Sequence, residues 1–147
     1  MIELYCASYA CPPREVWLED AQHLPAGHVP VAARPDWDFS APHALPAGWI
    51  NNASTGWPHR ATVAWPERQL GLEIVAGPSL DTCLVFSPGA NSDFVCVEPV
   101  THPVDAHNLP GGPEAYGLVV LLTDEQLAVV CCFRPVRLNQ GVSTAKG

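Results

Sequence analysis

Positive charge is scarce in this chain. Seven lysines and arginines stand against fifteen aspartates and glutamates, a formal net charge of −8 over 147 residues. No basic stripe is available to neutralise a phosphate backbone, so nucleic acid is not an expected partner. Long apolar runs are missing as well. None approaches the ~20 residues that cross a bilayer, and no membrane association is expected. The opening Met1-Ile2-Glu3-Leu4-Tyr5-Cys6 has an acid where a secretory signal places a base, so the expected location is cytoplasmic. Also absent is any C-x-x-C pair among Cys6, Cys11, Cys83, Cys96, Cys131 and Cys132. A zinc site is therefore not expected, and the cysteines read as small buried hydrophobes in a reducing compartment. There is no sustained helical period, no internal repeat and no domain boundary.

What remains is a chain that is 48% hydrophobic, with 16 prolines and 11 glycines. That composition supports one packed domain cut by many turns, which favours short strands over long helices. Residues 1–13 give a short strand-like run and a double proline. Extended runs follow at 14–18 and 28–33, with a turn at 24–27. From 34 to 59 the chain reads as a long surface connection containing Trp37, Trp49 and Trp57. Strand signals then become dense at 60–65, 69–76, 81–87 and 94–98. Leu70, Leu72, Ile74 and Ala76 fall on one face of their strand. Two Val- and Leu-rich runs, 116–122 and 127–134, predict a hairpin of central strands covered on both faces. The expected fold is all-β: one antiparallel β-sandwich domain over 1–147, with a fraying polar tail at 139–147.

One stretch stands apart. In Phe94-Val95-Cys96-Val97-Glu98-Pro99-Val100-Thr101-His102-Pro103-Val104-Asp105-Ala106-His107-Asn108, an alternating strand runs into a polar loop. Val95 and Val97 should face the core, and Phe94, Cys96 and Glu98 the other side. Pro99 cannot donate to a ladder, so pairing is expected to end at Glu98. The patternless loop that follows is longer than most, and long ordered loops tend to be functional. The bare alternatives are that Glu98 is a strand-end carboxylate accepting backbone N–H bonds, and that His102, Asp105 and His107 cap their own loop. A metal held by Glu98, His102, Asp105 and His107 is a further reading, though a weak one.

The same 94–108 stretch resembles the catalytic-glutamate segment of the aldose 1-epimerases (galactose mutarotases). Ile50-Asn51-Asn52-Ala53-Ser54-Thr55-Gly56-Trp57 is similar to that family's (I/L)-D-N-x-F-T-G-W segment. Val16-Trp17-Leu18-Glu19-Asp20 and Asp38-Phe39-Ser40 also fit, so the resemblance runs from about residue 14 to about residue 134 and covers what looks like the family's C-terminal half.

The resemblance implies part of a mutarotase-like supersandwich that interconverts the α and β anomers of a free aldose of the galactose or glucose type, without cofactor or metal. Glu98 matches the general base, and burial beside Phe94 and Cys96 would strengthen it as one. Asn51 stands where the family has a substrate-binding aspartate, and it keeps the capacity to donate and accept hydrogen bonds without the charge. Trp57 is a candidate stacking platform. The family's histidine-bearing upstream segment, of the His-Pro-Tyr-Phe type, is absent, which leaves His102 and His107 as candidate sugar contacts or a substitute acid. Alternatives are a non-catalytic carbohydrate-binding module and an inactive truncated homologue. Strands that have lost their partners would expose edges, so a homodimer through those edges is expected.

Overall fold

The structure, a computed structural model, describes residues 2–5, 13–89 and 92–138. Cys6, Cys11 and the 139–147 tail lie outside the described residues. The architecture is all-β, two antiparallel sheets packed face to face. Among the described residues the helical pieces are 3-10 turns of three or four residues, and no helix is long and apolar enough to cross a membrane.

Strands β1 (Glu3–Tyr5), β2 (Glu15–Glu19), β3 (Pro25–Pro30), β4 (His43–Ala44), β5 (Ile50–Thr55), β6 (Arg60–Trp65), β7 (Leu70–Ala76), β8 (Thr82–Ser87), β9 (Cys96–Val100) and β10 (Cys131–Arg137) divide into two sheets of five. Sheet A has the order β10-β7-β6-β1-β4 and sheet B the order β3-β2-β5-β8-β9. The β6–β7 hairpin turns at Pro66-Glu67-Arg68, with Gln69 in the left-handed region at φ 54°. Alternation then decides which side chains are covered. Leu72, Ile74 and Ala76 of β7 and Ala61 and Val63 of β6 meet Ile50 of β5 and Cys83 and Val85 of β8 between the sheets, with Val95 and Val97 packed against the same core. Leu70 shares their face but sits at the strand end, exposed.

Several expectations change. The turn before β3 is Asp20–Leu24, where the Asp20 carboxylate accepts from the N–H groups of Gln22 and Leu24; Pro25 already belongs to the strand. The expected connection at 34–59 contains β5, a central strand of sheet B. Pairing continues past Glu98 to Val100, with Pro99 opposite Cys83. An edge strand tolerates this proline because only one of its rims needs donors. The largest correction concerns 116–134. Residues 118–130 form no strand, and all of them but half-buried Leu118 are exposed; β10 is an edge strand rather than a covered central one. Their composition suits burial on both faces, but no strand of the described chain lies alongside to build a ladder. Of the cysteines described, Cys83 is buried, Cys96 and Cys131 are half-buried, and Cys132 is exposed.

Candidate functional site

Register across sheet B places the residues singled out by the sequence. Directly opposed residues of antiparallel neighbours point to the same side. Ala53 opposes Leu84, and Leu84 opposes Glu98. In the next row Asn51 opposes Phe86, which opposes Cys96. The alternate residues, including Ile50, Asn52, Ser54, Cys83 and Val85, are buried toward sheet A. Glu98 and Asn51 therefore share the outer face of sheet B. Two strand spacings and one two-residue step separate their backbones by roughly 12 Å, with Leu84 and Phe86 of β8 between them.

Glu98 is exposed, not buried beside Phe94 and Cys96 as expected, because β9 is the edge strand of sheet B. Among the described residues its carboxylate has no hydrogen-bond or ion-pair partner. The bare alternative of a carboxylate spent on backbone N–H groups is not what the structure shows. Asn51 is half-buried, and its side chain is likewise without a partner among the described residues.

Aromatic groups line the same face. Trp49, half exposed, meets the Phe86 ring edge-on at 5.0 Å and His23 at 5.1 Å; Phe94 lies 6.1 Å from Phe86. The His23 Nδ1 is 2.5 Å from Glu19 Oε2. Because Val16 opposes Ser54 on the core side, Trp17 points outward. There its ring contacts His28 at 5.0 Å and Tyr116 at 5.4 Å. The Trp17 indole N–H and Glu19 Oε1 are buried without a hydrogen-bond partner among the described residues. Sequence reasoning passed over Trp17, Glu19, His23 and Phe86 as site residues, although the alternation of Glu15, Trp17 and Glu19 places all three on one side of β2.

Trp57 belongs elsewhere. It is 2% exposed, lies inside the core, and donates its indole N–H to the carbonyl of Leu80 at 2.6 Å. Its ring faces are covered by protein, so it is a packing residue and not a platform.

The loop after β9 is held down by fully buried Pro103 and by Ala106. Asp105 adopts a left-handed conformation at φ 57° and accepts from Asn108 Nδ2 at 2.7 Å, the turn-forming role expected of it. His107 is exposed, with Nε2 3.5 Å from Asp105 Oδ1 and 3.2 Å from Asn108 Nδ2. His102, half-buried, has Nδ1 2.6 Å from Thr101 Oγ1. Among the described residues no three of His, Cys, Asp or Glu gather in a way that could hold a metal ion.

Comparison with known proteins fits this architecture. No family model matches the chain. The uncharacterized protein YphB of Escherichia coli (strain K12) is 31% identical over 108 residues, which make up 69% of this chain and 37% of that protein. A crystal structure described as that of a candidate aldose 1-epimerase from Escherichia coli K12 superposes with a TM-score of 0.78 at 24% identity. The match covers 93% of this chain and 46% of that one, so this chain spans less than half the length of either protein. The chain thus has the fold of part of an aldose epimerase β-sandwich, in agreement with the half-length resemblance read in its sequence.

Proposed function

We propose that the chain interconverts the α and β anomers of a free aldose of the galactose or glucose type, with Glu98 as general base. The observation that carries the reading is the position of Glu98, an exposed and unpartnered carboxylate on the same sheet face as Asn51. In this scheme Glu98 takes the proton of the anomeric hydroxyl. The electron pair left on that oxygen forms the carbonyl as the bond from C1 to the ring oxygen breaks, and His102 supplies a proton to the ring oxygen. Rotation about C1–C2 and the reverse steps give the other anomer. Asn51 and His107 hydrogen-bond sugar hydroxyls.

The C1–oxygen bond breaks and re-forms with two proton transfers and no net oxidation or reduction, so the scheme calls for no redox cofactor. A positioned base or acid contributes about 10²–10⁴-fold. The resemblance assigns the acid to upstream histidines, and a loop histidine filling that role places the expected rate at the lower end. Polarimetry or NMR on freshly dissolved α-D-glucose and α-D-galactose tests the proposal: the chain accelerates equilibration and Glu98→Gln abolishes the gain. No acceleration by the unaltered chain overturns it.

A second reading, carbohydrate binding without chemistry, is favoured by Trp49. Half of its surface is open on the Glu98 face, and an indole ring stacks well on the apolar face of a sugar. Saturable quenching of tryptophan fluorescence by either sugar, with no mutarotation, selects this reading.

A further inference from the structure

Two side chains on the outer face of sheet B take no part in the chemical scheme above, and they stand together. Trp49 lies one two-residue step from Asn51 along the line of β5, on the side away from the row formed by Ala53, Leu84 and Glu98. Its ring is seated edge-on against Phe86, at an interplanar angle of 75°, and half of its surface is open. His23 stands 5.1 Å from the same indole.

The way His23 is held determines what it can offer. Its Nδ1 is 2.5 Å from Glu19 Oε2. A carboxylate only accepts, so the ring hydrogen sits on Nδ1, and Nε2 is left as an acceptor while the ring is neutral. The other Glu19 oxygen, Oε1, is buried without a hydrogen-bond partner among the described residues, so the imidazole answers the charge of Glu19 alone. The backbone beneath is fixed as well. His23 adopts φ 61° and donates its N–H to the Asp20 carbonyl at 3.1 Å, while the Asp20 carboxylate accepts from the N–H groups on either side of it. An aromatic plate with an oriented acceptor at its edge suits a sugar ring, whose C–H face covers the indole while a hydroxyl meets the imidazole.

Charge narrows the ligand further. No strand of sheet B contains a lysine or arginine, whereas Glu19 and Glu98 lie on its outer face. A phosphorylated or acidic sugar would meet like charge there and no cation, so the chemistry favours a neutral one.

We propose that Trp49, His23 and Glu19 form a second subsite, which takes the non-reducing ring of a neutral reducing disaccharide whose reducing ring lies at Asn51 and Glu98. The proposal rests on the reading of this face as the sugar site and extends its substrate class from a single ring to two. The step from Asn51 to Trp49 is roughly 7 Å, which leaves room for one ring beyond the first.

The test is calorimetric titration of the full chain with D-glucose, maltose, cellobiose and glucose 6-phosphate. At least one of the two disaccharides is expected to bind roughly threefold to tenfold more tightly than glucose. Trp49→Ala and His23→Asn should each bring that ratio to about one with the melting curve unchanged; Asn tolerates the left-handed backbone at position 23. Trp49→Phe keeps a flat ring and should retain part of the preference. Disaccharides that bind no better than glucose overturn the proposal, as does a preference that survives Trp49→Ala, or glucose 6-phosphate binding more tightly than either disaccharide. Polarimetry on the same samples separates the two readings. Accelerated mutarotation of glucose with no disaccharide preference sinks the subsite alone, and a Trp49-dependent preference without any acceleration sinks the proposed chemistry alone.

Discussion

Gly117 packs so closely on the carbonyl oxygen of Thr101 that a β-carbon at this position would overlap it. The residue also adopts φ 87°, in the left-handed region. This contact closes the loop that leaves β9 and returns to the edge of the sheet, bringing Tyr116 against Trp17. Substitution Gly117→Ala meets both an overlap with backbone and an unfavourable φ, each resisted by a loop pinned at Pro103. The expected cost is about 1–3 kcal/mol or more of unfolding free energy, readable in urea titration. A neutral outcome would mean the loop is free to shift.

The packing role of Trp57 is checked in a similar way. Trp57→Phe removes the donor to the Leu80 carbonyl and leaves that buried oxygen unpaired, for an expected loss of about 1–3 kcal/mol. Because the ring lies between the sheets, the same variant should leave sugar-dependent fluorescence changes of the remaining tryptophans intact. If the sugar response disappears in a variant that still folds, the platform reading of Trp57 returns.

How much of this was legible beforehand depended on whether the two faces of a strand differ. Residues 69–76 and 94–98 alternate because one face meets the core; β7 appears at Leu70–Ala76, where the pattern places it, whereas β9 starts two residues later than the pattern, at Cys96, and runs on to Val100. β5 was hidden because Asn51, Asn52 and Ser54 are poor strand formers by propensity. Yet Asn52 is buried, its amide donating to the Trp17 carbonyl at 2.6 Å. A hydrogen bond between residues 35 apart leaves no local signal. The face shared by Glu98 and Asn51 has the same character, since it depends on the register of β5, β8 and β9. The runs at 116–122 and 127–134 depart from expectation for another reason. Their composition suits a covered strand, but composition does not supply a neighbour to pair with, and among the described residues 118–130 belong to no ladder.

The cysteines offer a chemical readout of the edge strand. Burial pushes the Cys131 thiol above its ordinary value, and the neighbouring Cys132 adds to the rise. The thiolate is the nucleophile, so a raised pKa lowers the reactive fraction at any pH below it. Brief alkylation near pH 8 followed by mass spectrometry should label exposed Cys132 first and Cys131 more slowly, with the gap narrowing as pH rises. Cys83, inside the core, should react only in denaturant. Equal rates at Cys131 and Cys132 would contradict the placement of β10.

Asn51 provides the sharpest test of the shared face. Its side chain is without a partner among the described residues, so Asn51→Ala removes no internal bond and should leave thermal stability nearly unchanged. If the outer face of sheet B holds a sugar, the substitution deletes one or two hydrogen bonds to it. At about 0.5–1.5 kcal/mol each, binding should weaken by roughly twofold to tenfold or more. Asn51→Asp keeps an acceptor and restores the charge that the family resemblance places at this position, so it should bind at least as well as the unaltered chain. The order Asp at or above Asn, and Asn above Ala, is expected from fluorescence titration with D-galactose. A flat response across the three, in variants that fold alike, would remove Asn51 from the site and leave Glu98 alone on that surface.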